Sequence, residues 1–302
     1  MTSLAVETDR YTNNSMAQDN PDTSDFDYDP VNVVNEATAS GVVGDLFGDI
    51  RRTMNIPIVT SIWRALAVDP DALASTWRQT KIIFESNLPD SYLGELKERS
   101  VCGGEDAQYQ FDFPLTTYQD IPQIQAVIDS YNRSNTLNLI ALSALISSKP
   151  YISAIPTKPR DVQDVPKLTP LKEKNDIPKD VWRLVEEVNR LGTNEKKPAV
   201  ATLWRHLARW PKFLEVVSAH FGTRQQTDLL MKKNLEILEA SKSIGDAIRP
   251  HVACDTNIIP ESALTLVKKY VTSPLQVVRM IVIGNTLERL IKNSLLPHRA
   301  SI

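Results

Sequence analysis

One stretch of seventeen residues occurs twice in this chain, and the duplication restricts the folds that the sequence can adopt. The first copy is PIVTSIWRALAVDPDAL, residues 57–73, and the second is PAVATLWRHLARWPKFL, residues 198–214. Eight of the seventeen positions are identical, and the offset between the copies is 141 throughout. Such a repeat indicates that one structural unit is built twice and that the two units pack together.

A second pair of matching segments extends the repeat over two halves of the chain. Residues 135–137, Asn-Thr-Leu, recur at 285–287 with an offset of 150. Apolar residues recur at spacings of three and four, and no stretch alternates long enough to form a convincing strand. The sequence therefore predicts an all-α fold of two similar helical repeats, packed as a pseudo-twofold intramolecular dimer.

Composition divides the chain into four parts. Residues 1–40 are acidic and poor in apolar side chains, which predicts a disordered acidic tail. Residues 41–150 form helical repeat 1, and residues 180–302 form helical repeat 2. The prolines of residues 151–179 exclude a helix and favour an extended linker on the surface.

Prolines also mark the predicted starts of helices in the repeated stretch. Pro57 and Pro198 suit the first position of a helix, where the missing N–H has no helical partner. Asp69, followed by Pro70, predicts an N-terminal cap and the first turn of the next helix.

Tryptophan and arginine are neighbours in both copies. Trp63 and Trp204 are interpreted as core anchors, because a ligand rarely requires the same pocket wall twice. Arg64 and Arg205 could bind a carboxylate through a forked contact. Their position after the tryptophan favours a surface or inter-helix ion pair instead.

Two asparagines occupy matched positions in otherwise apolar helices. Asn135 and Asn285 are therefore expected to be partly buried and hydrogen-bonded. They are either symmetric ties between helices or polar groups at the cleft between the halves. That cleft is the natural place for a small-molecule site.

Charge and composition narrow the range of functions. A net charge of −3 argues against an extended nucleic-acid-binding face. The chain has no run of about eighteen apolar residues for a membrane span, and no secretory signal, so a cytoplasmic location is expected. Cys102 and Cys254 show no metal-ligand spacing and are expected to be free, buried thiols.

Short motifs for metal or nucleotide chemistry are absent from the sequence. The four histidines form no HxxxH or HExxH pattern. There is no GxSxG, no GxGxxG and no glycine-rich phosphate loop. Neither a metal nor a cofactor is expected.

The sequence resembles the all-helical group I 2-haloacid dehalogenases, which act on both stereoisomers. The likeness covers roughly residues 45–300, and four segments carry it in the family's order: MNIPIVTSIWRALAVDPDALASTWR, GELKERSV, SYNRSNTLNLIALSAL and LARWPKFLEVV. Members of this family are pseudo-dimers of two related helical halves with the site between them. The resemblance implies the same architecture here.

The resemblance also implies a reaction, the hydrolytic removal of halide from a short 2-halocarboxylic acid. In the family a carboxylate deprotonates a water, which displaces the halide with inversion, and an Asn helps to hold the water. Asn135 matches that Asn, but the position of the Asp is Leu203. No acid lies between Lys196 and Phe213, and Leu cannot accept a proton, so the activity is expected to be lost or changed.

Three further positions match the substrate pocket of the family. Ile58 and Ser61 stand where the family has bulky aromatic residues, and Thr202 precedes the position of the missing Asp. The expected ligand is a small carboxylic acid. No nucleic acid or membrane partner is expected. The sequence does not decide whether the protein forms a homodimer.

Three hypotheses about function therefore remain. The first is a dehalogenase-family protein whose activity is lost or changed. The second is a different enzyme in the same cleft, with a carboxylate such as Glu187 or Glu195 turned inward. The third is a non-catalytic binding or interaction protein, with the cleft filled by Leu203, Ile62 and the two tryptophans.

Overall fold

The computed structural model describes residues 33–103, 119–158, 164–195, 198 and 200–295. Every element of regular structure within these ranges is a helix, which confirms the predicted all-α fold. In chain order the α-helices are α1 Gly41–Met54, α2 Ser61–Leu66, α3 Pro70–Glu85, α4 Leu88–Ser100, α5 Ile121–Ile146, α6 Lys179–Val188, α7 Thr202–Leu207, α8 Pro211–Phe221, α9 Arg224–Ile248, α10 Glu261–Thr272 and α11 Val277–Leu295.

Helices α5 and α11 pack against each other, and α4 and α9 pack against both of them. Of the 26 residues of α5, 19 are buried, so this helix is covered on almost every side. Helices α1 and α3 pack together, as do α6 and α8. The core is thus a group of long helices, and the short helices of the repeated stretch lie against it.

The two copies of the repeated stretch have the same local structure. Each contains one six-residue helix, α2 or α7, followed by a longer helix that begins at a proline. Trp63 and Trp204 are both fully buried, as their interpretation as core anchors requires. Trp63 also donates from Nε1 to Oδ1 of Asn138 on α5, at 2.9 Å.

The prediction that the first proline of each copy starts a helix is wrong. Helix α2 begins four residues after Pro57, and α7 begins four residues after Pro198. In the first copy the N–H of Val59 donates to Oε2 of Glu36 at 2.8 Å. The residues between Pro57 and α2 are thus not helical, and a side chain from an earlier segment binds the N–H of Val59.

The predicted cap at the start of α3 is confirmed. Oδ1 of Asp69 accepts hydrogen bonds from the backbone N–H groups of Asp71 and Ala72, at 3.0 and 3.2 Å. Pro70 is the first residue of the helix. The side chain thus satisfies two N–H groups that have no partner within the helix.

The segment before α1 is held in place from Val34 onward. Val34 and Arg64 exchange two hydrogen bonds, from Val34 N to the Arg64 carbonyl at 3.2 Å and from Arg64 Nε to the Val34 carbonyl at 3.1 Å. Residues 1–32, most of the predicted tail, lie outside the described residues. The last part of that predicted tail, residues 33–40, is described, and Val34 contacts α2 there, although the sequence analysis predicted disorder.

Both cysteines, Cys102 and Cys254, are free and buried, as predicted. Burial raises the pKa of Cys102 to about 11, so its thiol stays protonated at neutral pH. Within the described part of the chain, no helix combines the length and apolar character that crossing a membrane requires.

Glycine permits a close approach of α9 to α5. A Cβ on Gly245 would lie 2.7 Å from the carbonyl carbon of Ser143 and 2.9 Å from the nitrogen of Ala144. These are backbone atoms, which cannot move aside as the end of a flexible side chain can. The separation of the two helices thus depends on this glycine.

We expect Gly245→Ala to destabilise the fold by about 1–3 kcal/mol, because the added methyl group forces α9 away from α5. Gly94 in α4 is the matched control, since a Cβ there meets nothing within 4 Å. Gly94→Ala should stabilise the protein by about 0.5–1 kcal/mol, as expected for a helix interior. Urea unfolding of both variants measures this, and equal effects would contradict the prediction.

A cluster of charged side chains joins α4, α5 and α11. Glu288 accepts hydrogen bonds from Lys292 Nζ at 2.6 Å and from Asn132 Nδ2 at 2.9 Å, and it forms an ion pair with Lys97 at 3.0 Å. These partners outweigh the effect of burial and hold the pKa of Glu288 below its usual range. Burial and the charge of Glu288 raise the pKa of Asp129 to about 6.

Asp129 should therefore make stability fall as the pH rises. Its folded pKa lies above the usual Asp value, so its contribution is complete below about pH 4 and is lost as the pH passes 6. We expect Asp129→Asn to stabilise the protein by about 1–2 kcal/mol at pH 7.5 and to have little effect at pH 4. Thermal unfolding at both pH values measures this, and an effect independent of pH would contradict it.

Candidate active site

A cavity of about 870 Å³ is lined by both copies of the repeated stretch. The first copy contributes residues 57–61 and Arg64, and the second contributes residues 201–203 and His206. Helix α5 adds Tyr131 and Asn135, so the buried central helix forms part of the wall. The cavity thus lies where the duplication predicts a small-molecule site.

All five residues that the sequence assigns to the site line this one cavity: Ile58, Ser61, Asn135, Thr202 and Leu203. They come from three separate parts of the chain. The structure therefore brings together the positions that the resemblance selected.

The two matched asparagines have different surroundings. Asn135 is 9% exposed and lines the cavity. Asn285 lies elsewhere and donates from Nδ2 to Oγ of Ser100 at 2.8 Å, which ties α11 to α4. Asn285 is thus a helix tie, and Asn135 is a polar group at the cleft.

Leu203 gives the wall an apolar surface at the position where the resemblance implies an acid. Its side chain is buried, with 2% of its surface exposed. Next to it, Oγ1 of Thr202 is buried and has no hydrogen-bond partner among the described residues. A buried hydroxyl without a partner is uncommon, because buried polar groups are normally hydrogen-bonded.

Two carboxylates line the cavity, and both have partners. Glu36 accepts the N–H of Val59 and forms an ion pair with Arg51. Glu173 accepts from Asn35 Nδ2 at 3.2 Å and from Arg205 Nη2 at 3.4 Å. Both acids therefore already have hydrogen-bond or ion-pair partners within the protein.

The acids proposed for a different enzyme do not line the cavity. Glu187 accepts a hydrogen bond from the hydroxyl of Ser218. Glu195 also lies outside the lining, in the segment after α6. No inward-facing carboxylate is therefore found at either position.

The repeated arginines, for which a surface or inter-helix ion pair was the favoured interpretation, are both buried, and Arg205 forms an ion pair with Glu173 at 3.4 Å. Arg64 is 7% exposed and lines the cavity, and Arg205 is 4% exposed. Burial lowers the pKa of both, although a guanidinium stays charged at neutral pH. The lining includes four cationic side chains and two acidic ones, so it favours an anionic ligand: Arg51, Arg52, Arg64 and Lys167, with Glu36 and Glu173.

His206 is a cavity residue that the sequence analysis missed. It is 2% exposed, and its Nε2 lies 2.7 Å from the carbonyl oxygen of Thr169. The ring of Tyr131 packs against it edge to face, with centroids 5.9 Å apart. Burial lowers the pKa of His206, and the charge of Arg209 adds to this effect, so the ring is neutral at neutral pH.

The predicted surface linker forms one wall of the cavity, residues 165–171. Three side chains that follow Trp204 hold this segment by its backbone carbonyls. Arg205 donates to Lys172 O at 2.6 Å, His206 contacts Thr169 O, and Arg209 donates to Pro170 O at 2.6 Å. Besides connecting two parts of the chain, the linker therefore forms part of the cavity wall.

Comparisons with known proteins agree with the all-helical fold. The chain is 24% identical over 201 residues to a configuration-inverting 2-haloacid dehalogenase of Alcaligenes xylosoxydans xylosoxydans. The match covers 61% of this chain and 66% of that protein, slightly less than two thirds of its length. No model of a known protein family matches the chain.

Three solved structures have a similar fold. A mutant D-2-haloacid dehalogenase gives a TM-score of 0.65 at 16% identity, over 86% of this chain and 95% of that one. A D-2-haloacid dehalogenase in complex with L-LA gives 0.66 at 17% identity, over 86% and 96%. A mutant in complex with D-2-CPA gives 0.63 at 18% identity, over 87% and 96%.

The chain is thus an all-helical protein with the fold of the D-2-haloacid dehalogenases. The resemblance to the all-helical 2-haloacid dehalogenase family is confirmed by the sequence relative and by the solved structures together.

Proposed function

We propose that this protein binds a small 2-substituted carboxylic acid in the cavity and is a dehalogenase-family protein with altered hydrolytic activity. One observation carries the proposal. The positions matched to the family's site line a single cavity, and Arg64 lines the same cavity. The relatives support it, because they are 2-haloacid dehalogenases and two of them were solved with L-LA and D-2-CPA.

Each part of the lining has a role in binding such an acid. The guanidinium of Arg64 pairs with the carboxylate through its two-pronged donor geometry. Oγ1 of Thr202 offers a further buried hydrogen-bonding group. Asn135 holds the attacking water, as the resemblance implies, while Ile58 and Leu203 contact the apolar part of the acid.

The size of the cavity favours an acid larger than a three-carbon one. A volume of about 870 Å³ is in the upper part of the range for drug-sized ligands. Ser61 and Ile58 are smaller than the aromatic residues of the family at these positions. We infer that the cavity accepts 2-substituted acids with longer or branched chains.

Because residue 203 is Leu, this protein has no Asp there to act as the base that the family uses. The loss of general-base assistance usually lowers a rate by about 10²–10⁴. A non-catalytic acid-binding protein is therefore the alternative function. The presence or absence of halide release distinguishes it from a slow enzyme.

We expect 2-chloropropionate to bind and 2-chloropropionamide, which lacks the charge, to bind far more weakly. Asn135→Ala should weaken the binding of the acid, because its side chain lines the cavity. The matched variant Asn285→Ala should lower stability and leave binding unchanged, since Asn285 ties α11 to α4. Calorimetric titration measures binding, and an equal affinity for acid and amide would contradict the proposal.

We expect halide release from 2-chloropropionate to be slower by about 10²–10⁴ than that of a D-2-haloacid dehalogenase assayed in parallel. Leu203→Asp is not expected to restore the rate, because Ile58 and Ser61 leave the acid less tightly positioned. Ion chromatography of released chloride measures both. A wild-type rate equal to that of the relative would refute the proposed loss of the base.

A further inference from the structure

His206 reaches the same side of the cavity as the position of the missing acid. It follows Leu203 by three residues on α7, and residues three apart share one face of a helix. Both side chains line the cavity. The matched position in the first copy is Ala65, so only the second copy carries an imidazole there.

The hydrogen bond to Thr169 determines which nitrogen of His206 is basic. A carbonyl oxygen can only accept, so Nε2 carries the hydrogen, and in the neutral ring Nδ1 has a free lone pair. Nδ1 is buried and has no hydrogen-bond partner among the residues that the structure describes. A buried acceptor of this kind needs a ligand or a water to satisfy it.

The other basic groups of the lining are already engaged. Glu36 pairs with Arg51 and accepts the N–H of Val59, and Glu173 accepts from two donors. Among the described residues of the lining, His206 is thus the group with an unengaged basic atom. Its orientation is also fixed, since Thr169 and Tyr131 both contact the ring.

We propose that His206, through Nδ1, takes the proton of the water that attacks the 2-carbon of a 2-halocarboxylic acid bound in this cavity. The inference rests on the proposed function and names the base for it. The base lies one helical turn from the family's position, which agrees with a reaction that is slow rather than absent.

The reaction balances without any further reactant. The water oxygen forms a bond to the 2-carbon as the carbon–halogen bond breaks, and the halide leaves with the bonding electron pair. Nδ1 of His206 binds the proton that the water loses. The products are a 2-hydroxy acid and a halide ion, and the imidazolium then releases its proton to solvent.

Two substitutions of His206 separate a base from a residue that only holds the linker. His206→Gln can place an amide donor near the position of Nε2, so it keeps the contact with the Thr169 carbonyl and lacks a basic nitrogen. His206→Asn is shorter and loses that contact. Neither amide can accept the proton of a water at neutral pH.

The test measures bromide release from 2-bromopropionate by the full-length protein and both variants. Calorimetric titration with lactate, an acid without a leaving halide, shows whether each variant is folded and binds. If His206 is the base, His206→Gln binds lactate like the wild type and releases bromide about 10²–10⁴ more slowly than the wild type.

Three outcomes would overturn the inference. Undiminished bromide release by His206→Gln, with loss only in His206→Asn, would show that the residue serves to hold the linker. Lactate binding by the wild type with no bromide release would remove the reaction and leave the acid-binding function intact. No binding of lactate, of 2-bromopropionate or of the longer 2-bromohexanoate to the wild type would refute the proposed function as well.

Discussion

The burial of α5 is the constraint on which the rest of the structure depends, because its polar side chains must find partners inside the protein. Three asparagines recur along it at intervals of three residues. Asn132 donates to Glu288 on α11 at 2.9 Å, and Asn138 accepts from Trp63 on α2 at 2.9 Å. Asn135, between them, lines the cavity. Asn132 and Asn138 thus bind neighbouring helices, one before and one after Asn135, the asparagine that lines the cavity.

Helix α7 connects the core to the linker. On its buried side Trp204 is fully enclosed, and further along Arg205 and His206 bind the carbonyls of residues 172 and 169. The wall formed by the linker is therefore positioned by side chains of the second copy. A change in any of these contacts alters the shape of the cavity as well as the path of the chain between the halves.

The sequence predicted those features that depend on local chemistry. The cap at Asp69 and the start of α3 are examples, because all their partners lie within three residues. The N–H of Val59, in the segment before α2, donates to Glu36, which is 23 residues earlier, and the His206 contact spans 37 residues. Local periodicity contains no signal for such bonds. For this reason the starts of α2 and α7 and the contacts of the linker with the cavity could not be predicted, whereas the five positions chosen through the resemblance do line one cavity.

The duplication of the Trp-Arg stretch gives this chain a freedom that a homodimer lacks. In a homodimer each substitution appears in both subunits, so a change that suits one half of a shared site is imposed on the other half too. Here the two copies are separate segments of one chain and can diverge. Ala65 and His206 occupy matched positions with different chemistry, as do Asn135 and Asn285 with different surroundings. One member of each pair can therefore retain a packing role while its counterpart acquires a chemical one.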